Sequence, residues 1–543
     1  MPEVSPKAPS SSARSPFRVL ATLLAIVAAL AALTLALSPS IRVWCGFVPG
    51  GRFGRDSIHL VIIHTNDIHG EVLAREEGSG ENPSSPGLGG LVRLVQEIEA
   101  LHAAEPQAIV VDAGDWYSGT PEGAVDRGLP LLQILAQVGF DAMCVGNHDF
   151  DHGIANVERL VREAGLPAVL ANVRSPGVKE RLPWARPWIV VERNGVRVAL
   201  VGLLTTTTKA ISSGEVRALD FASPAEELDR VRLEIGDKAD LIIPVAHIRV
   251  REARQLALHD PNLPLIITGH SHEILEKGEL QGDTLIVQAG SKARAFGRVD
   301  LWLDPKTFAP LRSKARVIEL RKTLKTDLPA NAKSSSIQVA CEELVQRASV
   351  GLDQQVGELA QPVVRAVTNE CSPAGAWITD ALRAHMGAEI AVHNRGRTRR
   401  DLPAGGVTRR ELFELLPFDD HAVSVDLTGE QVAELARRSI DRTRFLGVDF
   451  SGLTRFVAQQ SDGSFKITRV EVGGRALDPS KRYRVATSSH LANGGGGTDE
   501  LLAGLNLIED SALLREVLEQ DFVRRGRISL PEDMAQRFIV EQP

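Results

Sequence analysis

Cysteine is scarce in this sequence and never closely paired. The 543 residues hold four (Cys45, Cys144, Cys341 and Cys371) with no CxxC spacing, which argues against a cysteine-built zinc site. Cys341 and Cys371 remain candidates for a disulfide in an oxidising compartment. Blocks of basic residues are missing too. The formal charge of -7 is spread along the chain, so nucleic-acid binding has no electrostatic support. Hydrophobic content of 43% and charged content of 24% are ordinary for soluble domains. The length is too great for one core, and two globular domains behind an N-terminal segment are expected.

That segment contains an uncharged apolar run, Val19 to Leu37, broken only by two threonines. Its length is near the bilayer-spanning threshold and exceeds most signal-peptide cores. Ala36-Leu37-Ser38 before Pro39 is a poor cleavage site, and Arg42-Val43-Trp44 excludes a lipobox ahead of Cys45. An uncleaved membrane anchor is therefore preferred to a cleaved signal, and a buried helix of a cytosolic protein is the third reading. Arg42, Arg52 and Arg55 balance Lys7, Arg14 and Arg18, which leaves the orientation open. The first two readings both place the protein outside the cytoplasm, in the periplasm or at the cell surface.

From Ile58 onward, apolar strand patterns end repeatedly in metal-ligand side chains. His59–His64 leads to Asp67 and His69. Ala108–Val111 leads through Asp112 and Gly114 to Asp115, and Phe140–Val145 leads to Asn147, His148 and Asp151. Leu241–Val245 leads to His247, and Leu265–Ile267 to His270 and His272. Gly114 permits a sharp turn before Asp115. Two divalent cations about 4 Å apart need one bridging carboxylate, with nitrogen and oxygen ligands closing each ion. Imidazole, carboxylate and amide together suit Zn, Mn or Fe, and the lack of thiolates argues against a structural zinc. A lone histidine at a strand end is more often a surface residue than a ligand. Seven candidate ligands at five ordered strand ends are not explained that way.

These residues resemble the calcineurin-like metallophosphoesterases, and within them the exported 5'-nucleotidase family. The resemblance is carried by His64-Thr-Asn-Asp67-Ile-His69-Gly70, Gly114-Asp115, Gly146-Asn147-His148-Asp149-Phe150-Asp151, His247 and Gly269-His270-Ser271-His272. It implies an α/β architecture: a metallophosphoesterase β-sandwich flanked by helices, then a C-terminal α/β substrate-binding domain. It further implies that Asp67, His69, Asp115 and His272 hold one metal, and that Asp115, Asn147, His247 and His270 hold the other. The implied reaction is in-line attack of a metal-bound hydroxide on phosphorus, assisted by His148 with Asp151 behind it. The family often has Glu where Asp149 stands, and no role is assigned to Asp149. Thr205–Thr208 reads as a solvated loop, His102, His152 and His259 as surface residues, and Gly78–Gly90 as a flexible loop.

Ile337–Ala348 has helical apolar spacing and reads as a connecting helix. The expected divisions are 1–55, 56–325, 326–350 and 351–543. In the last, Asn394, Gly396 and Arg399 match the family's phosphate-binding Asn-x-Gly-x-x-Arg motif, and Asn493 stands in a glycine loop near its base site. Arg399 suits the task, because its planar fork grips phosphate oxygens. Arg395, Arg397 and Arg400 read as a solvated basic turn. The family's two base-stacking rings are replaced by Ala422 and Thr498, its ribose-binding Asp by Gly504, and its arginine before Gly375 by Asn369 and Glu370, with Arg365 nearby. Stacking on a base is worth roughly 1–3 kcal/mol, so nucleoside selectivity is expected to be loose. Phe418, Phe456 and Trp377 are the possible substitutes. The substrate is thus a small phosphorylated molecule, in the first place a nucleotide. Sugar-nucleotides, cyclic phosphodiesters or another anionic ester are the alternative, and a catalytically idle binding protein is the second alternative.

Overall fold

Each apolar run becomes a buried strand that stops at or beside its ligand residues. A computed structural model describes residues 57–73, 90–178, 180–211, 214–320, 332–365, 371–440, 447–502, 505 and 507–541. The run Val19–Leu37, most of Gly78–Gly90, Asn369, Glu370 and Gly504 lie outside these. Among the described residues, no helix is long and apolar enough to cross a membrane.

The chain divides into two units. The described residues of one are 57–59 with Leu301–Ser313; in it, His59 stacks on Trp302 with ring centroids 4.8 Å apart, and the Arg312 guanidinium lies over the same indole. The other comprises Leu60–Asp300 and Lys314–Pro543, and it carries the whole site described below.

The first half is a sandwich of two six-stranded sheets. One sheet runs Pro310–Glu319, Ala295–Leu303, Ile58–Thr65, Ile109–Asp112, Ala142–Cys144, Ala168–Val169. The other runs Glu279–Gln281, Thr284–Val287, Leu265–Thr268, Leu241–His247, Val196–Leu204, Trp188–Arg193. The central pairings are parallel, with His64 opposite Val111 and Ile267 opposite Val245, so the ligand-bearing ends all emerge on one edge. This is the position at which α/β sheets present their sites. Parallel strands covered on both faces should read as unbroken apolar runs, and these do. The two sheets come close at Gly202, where a Cβ would lie 2.3 Å from the Val169 carbonyl carbon; only glycine fits that approach.

Helices cover the outer faces. Leu91–Ala104, Leu129–Ala136 and Ile154–Ala164 close the first sheet, while Pro224–Ile235 and Val250–His259 close the second. The connecting helix Ala332–Ser349 packs Ile337, Cys341 and Leu344 into the core of the first sheet. Cys341 is therefore a core residue of the first half. Cys371 lies buried beside the helix Pro373–His385 of the second half, and both thiols are free, contrary to the disulfide considered above.

The second half is built on a mixed sheet ordered Val448–Ser451, Ile390–Asn394, Arg482–Ser488, His421–Thr428, Leu507–Leu513. The helices Pro373–His385 and Leu514–Arg525 pack through one apolar cluster, and Gly429–Arg438 through another. Ser372 and Thr428 cap their helices, each side chain accepting the backbone N–H three residues on, from Gly375 and Gln431. Trp377 is buried in the first of these clusters with its indole N–H on Asp521. Phe456 lies under Arg469 on a separate four-stranded sheet, so neither ring reaches the site.

Candidate metal centre and active site

The turns that carry the ligand residues are tight. Asp67, His69, Asp115, His270 and His272 all have positive φ, between 51° and 73°, and Gly114 precedes Asp115 at φ 95°. Such backbone costs about 1–3 kcal/mol per residue and persists where the surroundings over-determine it. Here the fixing bonds are visible. Asp67 N–H donates to the Gly114 carbonyl at 2.9 Å and His69 N–H to that of Asp115 at 2.9 Å. The Asn66 amide holds Asp67 Oδ2 at 2.7 Å while also reaching the Gly290 carbonyl.

The seven predicted ligands come together in two overlapping groups. Nε2 of His69 lies 3.1 Å from Nε2 of His272, 3.6 Å from Asp115 Oδ2 and 3.9 Å from Asp67 Oδ1. His272 Nε2 is 3.3 Å from Asp67 Oδ1. In the second group, His247 Nε2 lies 3.3 Å from Asp115 Oδ2 and 3.1 Å from Asn147 Oδ1, and the His270 ring is 5.1 Å away, centroid to centroid. Asp115 Oδ2 is thus shared between His69 and His247. Asp67, Asp115 and His247 also offer oxygen and nitrogen atoms within 4.8 Å of one another.

These donors fit divalent cations. His69 commits Nδ1–H to the Ser118 carbonyl and His247 commits Nδ1–H to that of Ala113, each at 2.8 Å, so in the neutral form of either ring Nε2 is the nitrogen that carries the lone pair. At 3.1 Å the His69 lone pair either accepts N–H from His272 or shares one cation with it, so the spacing is compatible with both. His270 Nε2 is buried without a hydrogen-bond partner among the described residues, as a nitrogen reserved for a metal would be. In the metal-free protein the charges adjust to one another. Burial opposes it, yet the carboxylates of Asp115 and Asp67 hold the His247 imidazole up to about 10. Burial also works against Asp115, but His247, His148 and His69 keep its carboxyl well below the usual range.

His148 lies beside this cluster. Its Nδ1 is 3.0 Å from Asp151 Oδ2, which also accepts from the Ser118 hydroxyl at 2.5 Å. Despite burial, His148 holds the Asp151 carboxyl below its ordinary value. A cavity of about 590 Å³ opens against Asp115, Asn147 and His148 on one side and Asn394, Arg397 and Arg399 on the other. Asn394 caps the turn that carries Arg399, its Oδ1 accepting from Gly396 N–H at 2.8 Å. Asn493 lines a smaller adjoining cavity of about 130 Å³ with Asp151 and Phe418.

Several residues depart from the sequence expectation. Arg395, Arg397 and Arg400 do not form a solvated basic turn: they pair with Asp449, Asp420 and Glu414, and Arg397 also lies 3.6 Å above the Phe418 ring. His152 is tied to the Tyr117 hydroxyl at 3.0 Å rather than free at the surface. Thr205 and Thr208 are buried, Thr205 donating to Glu252, while Thr206 and Thr207 are exposed. Ala422 is packed in the core, and Thr498 is buried with its hydroxyl on the Leu491 and Gly495 carbonyls; neither lines the cavity. Of the possible substitute rings only Phe418 reaches the site. Arg365 pairs with Asp401 and stays outside the cavity.

Asp149, to which the sequence assigns no role, binds the loops together. It is fully buried and accepts the backbone N–H groups of Asp115, Trp116 and Gly146 at 3.1, 2.8 and 2.8 Å. Burial and the neighbouring Asp115 charge raise its pKa well above the usual range. The same loops leave no room at Gly146, where a Cβ would fall 2.2 Å from Asp115 Oδ1. Gly146→Ala should therefore displace the shared carboxylate. Metal affinity is expected to fall roughly 10- to 100-fold, as when other orienting contacts of metal ligands are lost; titration of the metal-free protein with Mn checks this.

The chain is similar to known proteins along most of its length. Residues 60–273 match the calcineurin-like phosphoesterase family, and residues 352–503 match the 5'-nucleotidase C-terminal domain. The 5'-nucleotidase of Vibrio cholerae is 25% identical over 531 residues, covering 88% of this chain and 93% of the relative. Protein UshA of Escherichia coli is 26% identical over 494 residues, covering 81% and 86%. The crystal structure of a 5'-nucleotidase precursor from Thermus thermophilus superposes with a TM-score of 0.77 at 25% identity, over 90% of this chain and all of that one.

Proposed function

We propose that this chain, which belongs to the 5'-nucleotidase family of calcineurin-like phosphoesterases through both of its domains and is thus a metal-dependent phosphoric ester hydrolase, is an exported two-metal enzyme acting on phosphate monoesters such as nucleotides. The observation that carries this reading is the shared cavity: metal-ligand residues and the His148–Asp151 pair form one wall, and Asn394 and Arg399 of the second domain form another.

Asp67, His69, Asp115 and His272 would hold one ion, and Asp115, Asn147, His247 and His270 the other. Two divalent ions bound there supply charge neutralisation for the phosphoryl oxygens and acidify a water for attack. The remaining work falls to the chain itself. Asp151 fixes the His148 tautomer by accepting a hydrogen bond from Nδ1–H, which leaves Nε2 as the nitrogen available to the phosphoryl group or the leaving oxygen. Arg399 and Asn394 orient the phosphate from the opposite wall. The segments 1–55, 56–325, 326–350 and 351–543 are read as leader or anchor, catalytic domain, connector and substrate domain. Export rests on the apolar run Val19–Leu37, and cell fractionation with and without that run tests it.

The substrate is not confined to nucleoside monophosphates in this proposal, because among the described residues Phe150 is the only Phe, Tyr or Trp that lines the cavity. The direct test is phosphate release by the Mn- or Zn-loaded protein from AMP, UMP, UDP-glucose and an aryl phosphate. Comparable rates on all four support a broad monoesterase. A metal-loaded protein that hydrolyses none of them overturns the proposal in favour of a binding role. Arg399→Ala is expected to raise KM roughly 10- to 100-fold, since hydrogen bonds to charged groups contribute about 1.5–3 kcal/mol each; steady-state kinetics on the aryl ester checks it.

A further inference from the structure

One cation lining the cavity of about 590 Å³ has no task in the function proposed above. Arg249, Arg397 and Arg399 all line it. Arg397 is engaged by Asp420 through two bonds of 2.8 Å, and Arg399 is assigned to the phosphoryl group. Arg249 belongs to the first domain and stands two residues beyond the ligand residue His247. Ile248 between them is fully buried, and the extended backbone at Arg249 turns its side chain the other way, out of the core and exposed. The base of that side chain is fixed: Arg249 N–H donates to Glu252 Oε2 at 3.0 Å, and Val250 N–H to the Ser271 hydroxyl at 3.4 Å. Among the described residues no carboxylate pairs with the Arg249 guanidinium. Glu252 is taken by that N–H and by the Thr205 hydroxyl. Of the carboxylates lining the cavity, Asp115 belongs to the ligand groups, Asp151 holds His148 and Ser118, and Glu215 accepts Ile154 N–H at 2.8 Å.

We propose that Arg249 is a second anion subsite of this cavity, which takes a carboxylate or a further phosphate carried by the leaving group of the ester. This rests on the phosphoesterase reading of the cavity given above. Arg249 and Arg399 stand toward different ligand groups. Burial is the chief cause that holds His270 and His69 well below the ordinary histidine value; among the lesser causes, Arg249 acts on His270 and Arg399 on His69. The transferred phosphoryl group already has Arg399, Asn394 and the ligand groups to hold it, and the cavity is far larger than that group. What remains of it must house the leaving group, and a few placed polar side chains fix the orientation of a bound molecule there. The planar fork of a guanidinium suits carboxylate and phosphate oxygens alike, so the two are one chemistry to this residue. Arg249 is exposed, and it stays solvated when a leaving group without charge fills the space. It therefore selects by gain alone, and singly anionic esters remain substrates.

The test uses the full chain loaded with Mn, wild type against Arg249→Gln, on pairs of esters that differ by one anionic group. Ethyl phosphate against phosphoglycolate adds a carboxylate; AMP against ADP adds a phosphate to the leaving group. Arg249→Gln is expected to lower kcat/KM roughly 5- to 100-fold on the doubly anionic member, the span from an exposed ion pair to an enclosed charged hydrogen bond. The singly anionic member and the metal content stay within about twofold. Comparing the same substitution on both members cancels their different intrinsic reactivity. A loss confined to phosphoglycolate names a carboxylate as the ligand, and one confined to ADP names a phosphate; either supports the subsite. Equal losses on both members make Arg249 a contact of the transferred phosphoryl group and overturn it, as does no loss on any ester. Binding gives a reading free of turnover. By calorimetry, Arg249→Gln should weaken phosphonoacetate by the same factor and leave ethylphosphonate unchanged. Equal phosphonoacetate affinity in the two proteins would assign the second group to other partners and overturn the proposal. A wild type inactive on every ester would remove the proposed function instead, and the calorimetric comparison would still decide whether Arg249 binds the second anion.

Discussion

Replacing His148 by alanine is expected to lower kcat by roughly 10²–10⁴-fold, the usual contribution of a positioned acid–base group, while metal content stays unchanged. The separation of the two effects follows from the geometry. The side chain of His148 gives its one anchored nitrogen to Asp151, and no atom of the ring is needed to complete either ligand group. What His148 does give the metal centre is its backbone N–H, which donates to Asp115 Oδ1 at 2.8 Å, and alanine keeps that bond. Steady-state kinetics paired with metal analysis of the same sample reads both quantities. Unchanged hydrolysis would remove His148 from the mechanism. Loss of metal would move it into the ligand set.

The candidate ligand residues that the fold brings together were legible in the sequence for a definite reason. A parallel strand covered on both faces must be apolar along its length, so a polar residue at its end stands out, and Asp67, Asp115, Asn147, His247 and His270 all stand so. The connecting helix was equally plain, since Ile337, Cys341 and Leu344 recur at the helical period and share one buried face. Residues whose partners lie far along the chain were not legible. Arg395 looks like one of several exposed basic residues until Asp449, 54 positions later, is folded against it. Arg397 and Asp420 are likewise 23 positions apart. Asp149 was opaque for another reason: its partners are main-chain N–H groups on two loops, and no side-chain pattern marks an acceptor of backbone amides. The base-stacking question also turned on the third dimension. Ala422 and Thr498 are small because they are packed inside, while the ring that reaches the cavity neighbourhood, Phe418, sits four residues before Ala422.

Asp115→Asn should have the largest effect of all, because one oxygen of Asp115 serves both ligand groups. Asparagine tolerates the left-handed backbone that Asp115 adopts at φ 62° and can still accept from His148 N–H, so the loop should keep its shape. The negative charge is what disappears. Neutralising the phosphoryl group is worth several kcal/mol at such centres, and at about 1.36 kcal/mol per decade the loss in kcat/KM exceeds roughly 10³-fold. Stability provides an independent reading. In the metal-free wild type, the His247 imidazole is held up to about 10 against an ordinary 6.5, burial opposing and Asp115 chief among the groups raising it. A histidine whose folded pKa is raised contributes stability that is full below about 6.5 and is lost as pH rises through about 10. Metal-free wild type should therefore lose thermal stability across that window. In Asp115→Asn the main support for the proton is gone, burial prevails, and the decline should be largely absent. Metal reverses the order. Binding requires His247 Nε2 to be unprotonated, so uptake by the wild type releases a proton. A ligand at 100 times its Kd adds about 2.7 kcal/mol, a gain the variant forgoes. Melting curves at several pH values, with and without Mn, separate these outcomes: parallel pH profiles for the two proteins in the absence of metal would mean that Asp115 is not the partner that holds the His247 proton.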